Sequence, residues 1–525
     1  MKPTKNILFT AAAIAFALAS SAWAAVTLPP VLGNNMVVQS GEPISLWGWA
    51  DAGEKITIKQ GGAVVATAVG AGKEKTDKPW QVKLPAQKPG AVADIEVAGA
   101  NTITLTNVLA GDVWLCSGQS NMVMTLLKGY APVLNGEAEA AAATKNHIRF
   151  YNGVGESAWV VCTPETAGRF SAVGYFFAQK LNAELKVPVG MMVVAGGGRP
   201  AEDFTPPRMM DGDADFQAQK IKAQAVRDEF GAKGSADGKA YKEWRAMADA
   251  AQKKGEPRPA MPVNQLTKEQ SALLADANLI LDFGWIYRDR IPPLASFPIT
   301  GFIWYQGEAN SKRGDKYEPL LTKLIQGWRE DWGNKPLPFI IVALAGWGKP
   351  EPWTPGGQGS FPLVREAGIK ISETLPNVGV ISAVDVGEAG NIHPSNKKPV
   401  GERAALWALN HVHGRKVVSE GPKFGKVVFS AGKAVVPFLQ NAEGLTLKGP
   451  GGFELAGEDR KFVPAKAELK GGTLEVTAPE VPKPVALRYA FLNFPECTVS
   501  NGAGLPALPF RTDDWPVMPG EPVKK

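Results

Sequence analysis

The run Gly111-Asp112-Val113-Trp114-Leu115-Cys116-Ser117-Gly118-Gln119-Ser120-Asn121-Met122 reads as a buried strand, a glycine that permits a tight turn, and a serine where the next helix begins. A hydroxyl there is placed to act as a nucleophile, because helix-start N–H groups can stabilise a developing oxyanion. It is equally placed to cap the helix. Met122 stands where the second glycine of a G-x-S-x-G elbow belongs, so the ordinary α/β-hydrolase turn does not fit. A nucleophilic serine needs a base, and the chain has four histidines: His147, His393, His411 and His413. His411 and His413 close a helix just before Gly414, where cations complement the helix end. His147 starts a strand with no chemical company. His393 lies in the loop Gly390-Asn391-Ile392-His393-Pro394 ahead of a helix and is well placed to reach a strand-end serine.

Two further polar corners follow apolar strands. Gly301 to Tyr305 runs into Gln306-Gly307-Glu308, an amide donor and a carboxylate. Met191 to Ala195 runs into Gly196-Gly197-Gly198-Arg199-Pro200, which lacks the Gly-Lys-Ser/Thr of a phosphate loop and the spacing of a dinucleotide loop. Exposed backbone N–H groups for an oxyanion suit it better. The elements that must position these corners span 110–414, where near-continuous apolar runs alternate with helical patterns such as Val173 to Leu185. That alternation predicts an α/β fold with a parallel sheet covered on both faces and reactive residues at the carboxyl ends of its strands. Residues 25–109 instead alternate apolar with polar in short runs, as in Trp80 to Leu84, and predict a β-sandwich. Residues 208–283, rich in Ala, Lys, Gln and Glu, read as an inserted helical excursion, and 415–525 return to short β runs.

These motifs, with Trp304-Tyr305-Gln306-Gly307-Glu308-Ala309-Asn310, Ile392-His393-Pro394-Ser395-Asn396-Lys397 and Gly504 to Asp513, resemble the sialate O-acetylesterase family within the SGNH hydrolases, from the first β unit to Trp515. The resemblance implies a three-layer α/β/α catalytic domain that hydrolyses O-acetyl esters of sugars without metal or cofactor. In that scheme Ser120 attacks the acetyl carbonyl and His393 takes its proton, later returning it to the sugar hydroxyl. The oxyanion is held by the Ser120 N–H, a glycine N–H near Gly197 or Gly198, and the Gln306 side chain. Two positions depart from the family pattern. Members commonly carry Ser-x-Trp-Gly-Gly-Thr where Val194 to Arg199 stands here, which makes Arg199 a candidate substrate contact. Many SGNH enzymes place an Asp three residues before the histidine, where this chain has Gly390. The acid that orients His393 is then Asp385 or Glu308, both at rigid strand ends, ahead of Glu388 in a looser loop. A backbone carbonyl in place of any acid leaves a Ser-His dyad.

The rest of the composition bounds the answer. The chain has 525 residues, 45% hydrophobic and 21% charged, enough for two to four domains with their own cores. Met1 to Ala24 carries Lys2 and Lys5, an apolar run and Ala22-Trp23-Ala24, which predicts a secretory signal peptide and a periplasmic or secreted protein. Its removal lowers the formal charge from +6 to +4. No like-charge block points to nucleic acid, and no later apolar stretch is long enough to span a membrane. Three cysteines, Cys116, Cys162 and Cys497, are too few for a disulfide framework, and Cys116 in its apolar run reads as an inert buried thiol. The reading is a carbohydrate O-acetylesterase acting on an acetylated carbohydrate, sialic acid or a polysaccharide. The alternative is a non-catalytic carbohydrate-binding protein whose 15 tryptophans supply stacking platforms.

Overall fold

Every residue of the strand Leu109–Gly118 is buried, as in a strand covered on both faces. The computed structural model describes residues 25–144, 147–153, 158–352, 359–439 and 442–517; the expected signal peptide at 1–24 lies outside the described residues. Leu109–Gly118 is the middle of a sheet ordered Trp159–Val161, Ile148–Asn152, Val189–Ala195, Leu109–Gly118, Gly301–Tyr305, Phe339–Ala343 and Val378–Ser382. All neighbours are parallel except the first pair. The register puts Ala195 and Tyr305 level with Gly118, so three strands end side by side. The chain leaves the central strand toward one edge and returns later to build the other, which opens a crevice at those ends.

Strand parity shows how the sheet is covered. Trp114 is in register with Gly301 and Ser117 with Trp304, so Trp114 and Trp304 project from opposite faces. Trp114 meets Phe177 of the helix Ala172–Leu185 edge-on at 5.1 Å, whereas Trp304 meets Trp328 of the helix Tyr317–Asp331 at 5.9 Å. Those two helices therefore cover opposite faces. The helix Lys398–His411 packs on the first of them and Phe361–Thr374 on the second.

The N-terminal region is β-structured but not separate at residue 109. It holds a two-stranded sheet and the four strands Ala63–Val69, Lys55–Gln60, Ile95–Ala98 and Thr102–Leu105. Val37–Gln39 and Gly90–Ala91 instead pair with the start of the central strand, and the region shares one hydrophobic core with the mainly parallel sheet. The C-terminal region has its own core around Val436, Leu455, Leu474 and Tyr489. Between Pro207 and Trp285 the helices Ala214–Lys254 and Lys268–Leu281 pack on each other. Among the described residues, no helix is long and apolar enough to cross a membrane.

His411 is the last residue of its helix, as expected, and His413 lies two residues beyond it. His411 stacks on Trp407 at 4.7 Å, and His413 Nε2 lies 2.9 Å from Asp112 Oδ2 beneath the central strand. The first is an i,i+4 contact within the helix, whereas helix position alone does not specify the second, a partner 301 residues away. Burial pushes the thiols of Cys116, Cys162 and Cys497 up, so none has thiolate character.

Arg365 ties the C-terminal region to the sheet. Its guanidinium is 1% exposed and donates to the carbonyls of Leu344 (2.8 Å), Ala345 (3.1 Å), Leu492 (2.6 Å) and Asn493 (3.0 Å). Burial lowers its pKa to about 10. Arg365→Met removes every one of these donors and leaves the Leu344, Ala345 and Leu492 carbonyls without a partner, while the Asn493 carbonyl keeps the Trp347 N–H, so it is expected to destabilise the protein by on the order of 3 kcal/mol or more. Denaturant unfolding checks this, and an unchanged midpoint contradicts the tie.

Candidate active site

Ser120 opens the short helix Ser120–Val123 at the end of the central strand. Gly118 makes the turn with φ +132°, and a side chain there would collide with the Tyr305 carbonyl. The Gln119 N–H then donates to that carbonyl at 3.0 Å, locking the corner to the neighbouring strand. Ser120 Oγ lies 2.8 Å from His393 Nε2, so the two residues singled out from the sequence are in hydrogen-bond contact. Burial, and then the nearby Lys397 ammonium, hold the His393 imidazole below its ordinary value. It is therefore neutral, and a proton acceptor, further into acid than a free histidine.

Among the described residues, no carboxylate bonds to the His393 ring. Asp385 is turned away, with its two oxygens gripped by the Arg403 guanidinium at 2.6 and 2.7 Å. A carboxylate that faces a bidentate arginine prefers it to an imidazole. Glu388 braces the loop instead, accepting from the Ser395 N–H (2.7 Å), the Ser395 hydroxyl (2.8 Å) and Asn391 Nδ2 (3.0 Å). Burial pushes that carboxyl up, but these bonds outweigh it and hold the pKa below the usual carboxylate value. Asn391 in turn clasps the histidine backbone, accepting from the His393 N–H at 2.9 Å and donating to its carbonyl at 2.8 Å. Tyr130 stacks on the imidazole with planes 16° apart.

Glu308 is close by but faces Asn121. Asn121 Nδ2 donates to Glu308 Oε1 at 2.5 Å and to the Ile392 carbonyl at 3.1 Å, while its Oδ1 accepts from Lys397 Nζ at 2.6 Å. One amide thus joins the Ser120 helix, the Glu308 corner, the histidine loop and the helix that follows. Burial pushes the Glu308 carboxyl up and lowers Lys397 to about 7. Neither Asn121 nor Lys397 stands out by residue type or spacing. A polar residue directly after a candidate nucleophile was the available signal.

Gln306 does not present its amide to the acyl site. It is 1% exposed, and its Nε2 faces three acceptors: Asn310 Oδ1 (2.7 Å), Gln119 Oε1 (3.1 Å) and the Arg199 carbonyl (3.2 Å). Its Oε1 accepts from the Tyr317 hydroxyl at 2.8 Å. With both N–H bonds engaged, it fixes the three strand-end corners to one another instead of donating to an oxyanion. The backbone N–H groups of Ser120 and Gly197 have no acceptor among the described residues. The Arg199 guanidinium lies 3.4 Å from Asp203 and 4.4 Å from the centre of the Trp285 ring. Among the described residues, no three His, Cys, Asp or Glu side chains gather as a metal site requires.

Residues 288–406 match the family described as carbohydrate esterase, sialic acid-specific acetylesterase. A crystal structure of a novel carbohydrate acetylesterase from Xanthomonas citri is 30% identical, with a TM-score of 0.73, over 94% of this chain and 100% of that one. The chain belongs to the sialate O-acetylesterase family. The sialate O-acetylesterase of Homo sapiens is 26% identical over 540 residues, 91% of each chain, and that of Rattus norvegicus is 26% identical over 539. Nearly the whole length of these sialate O-acetylesterases is matched, flanking β regions included.

Asn121→Ala cuts the tie between serine and histidine loops. It is expected to lower kcat on an acetyl ester by about 10²-fold, the scale of an ångström-sized misplacement, while far-UV circular dichroism is unchanged. Wild-type turnover in this variant would show that the tie does not position the pair.

Proposed function

We propose that this carbohydrate O-acetylesterase is a serine esterase working through Ser120 and His393. The observation that carries the reading is the 2.8 Å contact between Ser120 Oγ and His393 Nε2 at the level strand ends. Ser120 Oγ attacks the acetyl carbonyl as His393 Nε2 accepts its proton. The carbonyl oxygen becomes an oxyanion, for which the free N–H groups of Ser120 and Gly197 are the available donors. Collapse expels the sugar alkoxide, which takes the proton back from His393 and leaves acetyl on Ser120. Water, deprotonated by the same imidazole, then attacks the acetyl carbon, and acetate leaves as His393 returns that proton to Ser120 Oγ.

The orientation of His393 fits a dyad braced by Asn391, Glu388 and Tyr130 better than a triad through Asp385 or Glu308. The helices on both faces of the sheet support the SGNH three-layer reading of 110–414, with the β regions as flanking units. Lys2 and Lys5 ahead of the apolar run in 1–24, with Ala22-Trp23-Ala24, support the reading of a secretory leader and a periplasmic or secreted enzyme.

Ser120→Ala and His393→Ala are each expected to lower kcat by on the order of 10³ or more, with the fold retained, because nucleophile and base act as a unit. More than about a tenth of wild-type turnover in either variant would overturn the assignment. The base must be neutral to act, and its pKa lies below the ordinary 6.5. The acid limb of kcat/KM is therefore expected to have its midpoint below 6.5. A midpoint above that value contradicts the environment described for His393.

A further inference from the structure

Tyr130 sits on the segment between the nucleophile helix and residue 136, a segment joined to the histidine loop where the Leu134 N–H donates to the Ser395 carbonyl at 2.9 Å. Its ring lies over the His393 imidazole, centroids 4.6 Å apart. Its hydroxyl lies so close over Gly197 that any side chain there would collide with it. Both neighbours belong to the proposed machinery, yet Tyr130 is 55% exposed. With one face against the imidazole, the exposure falls on the other face and the edge.

A second aromatic stands near the adjoining glycine, reached through Arg199. A Cβ on Gly196 would meet Arg199 Cγ at 2.8 Å and Ile286 Cδ1 at 2.9 Å. Arg199 spreads its guanidinium over the Trp285 ring, and Trp285, at the start of the helix Trp285–Arg290, is 44% exposed. The Gly196–Gly197 corner thus carries an exposed phenol at one glycine and an exposed indole-guanidinium pair at the next. Such a surface, apolar and flat with a few fixed donors, suits a sugar ring, which shows C–H groups on its faces and hydroxyls at its rim.

The chemistry says which half of the ester lies there. The proton that His393 removes from Ser120 returns to the departing oxygen, so the sugar leaves from beside His393 Nε2 and hence from beside Tyr130. We propose that Tyr130 and the Arg199–Trp285 pair form the subsite that seats the sugar ring of the acetyl ester, an inference that rests on the serine-esterase reading. Tyr130 stacks on one part of the sugar, Trp285 on another, and Arg199 donates to its hydroxyls.

The test compares two esters in each variant. One is whichever of acetylated xylan, acetylated xyloglucan or acetylated mucin the wild type cleaves fastest. The other is trifluoroethyl acetate, an activated acetate with no ring to seat. In Tyr130→Ala and Trp285→Ala the ratio of kcat/KM on the glycan to that on trifluoroethyl acetate is expected to fall about tenfold or more, through KM, as for the loss of one stacked ring. Tyr130→Phe, which keeps the ring, is expected to hold the ratio within about twofold. An unchanged ratio in the two alanine variants overturns the subsite. So does an equal loss on both esters, which would make Tyr130 a brace for His393 alone. Acetate from trifluoroethyl acetate with none from the three glycans overturns the subsite and leaves the serine reading standing.

Discussion

The site depends on one side-chain amide. Ser120 and His393 are 273 residues apart in the chain and on different elements, and a hydrogen bond of 2.8 Å between them tolerates little slack. Asn121 removes that slack, because its amide bonds at once to the histidine loop, to Glu308 and to Lys397. The constraint is directional as well as energetic. Two donors and an acceptor on one planar group fix the relative angle of the segments they join, which a hydrophobic contact of the same area does not.

That clamp also explains why two buried ionisable groups lie behind Ser120. Glu308 and Lys397 would each be costly alone at this depth. Placed on opposite ends of one amide, they offset each other while the amide stays between them. Burial still moves both toward their neutral forms, so the pair adds little net charge behind Ser120. Glu308 Oε2 has no hydrogen-bond partner among the described residues, which fits a carboxyl pushed toward protonation.

Much of this was legible in the sequence, for definite reasons. The central strand and its serine corner could be read because a fully buried strand followed by glycine and a polar residue has few other uses. His393 could be singled out because only four histidines exist and each has a recognisable setting. The choice of acid was not legible: Asp385 is rigid at its strand end, as expected, but what it faces is Arg403, 18 residues away on a packed helix. Gln306 was placed at the correct corner, and its amide's direction was not, since that depends on Asn310, Gln119 and Arg199 from three separate segments. The pairing of Val37–Gln39 with the start of the central strand was not legible either, since no local pattern encodes it.

The central claim is covalent chemistry at Ser120, and trapping the intermediate tests it most directly. The enzyme is mixed with an activated acetyl ester, quenched in acid within the first turnover, and digested for mass-spectrometric peptide mapping. The account predicts one acetyl group on the peptide containing Ser120, at the serine itself, and none in His393→Ala beyond background. Acetate released in full with no modified peptide, or an acetyl group on a different residue, would contradict it.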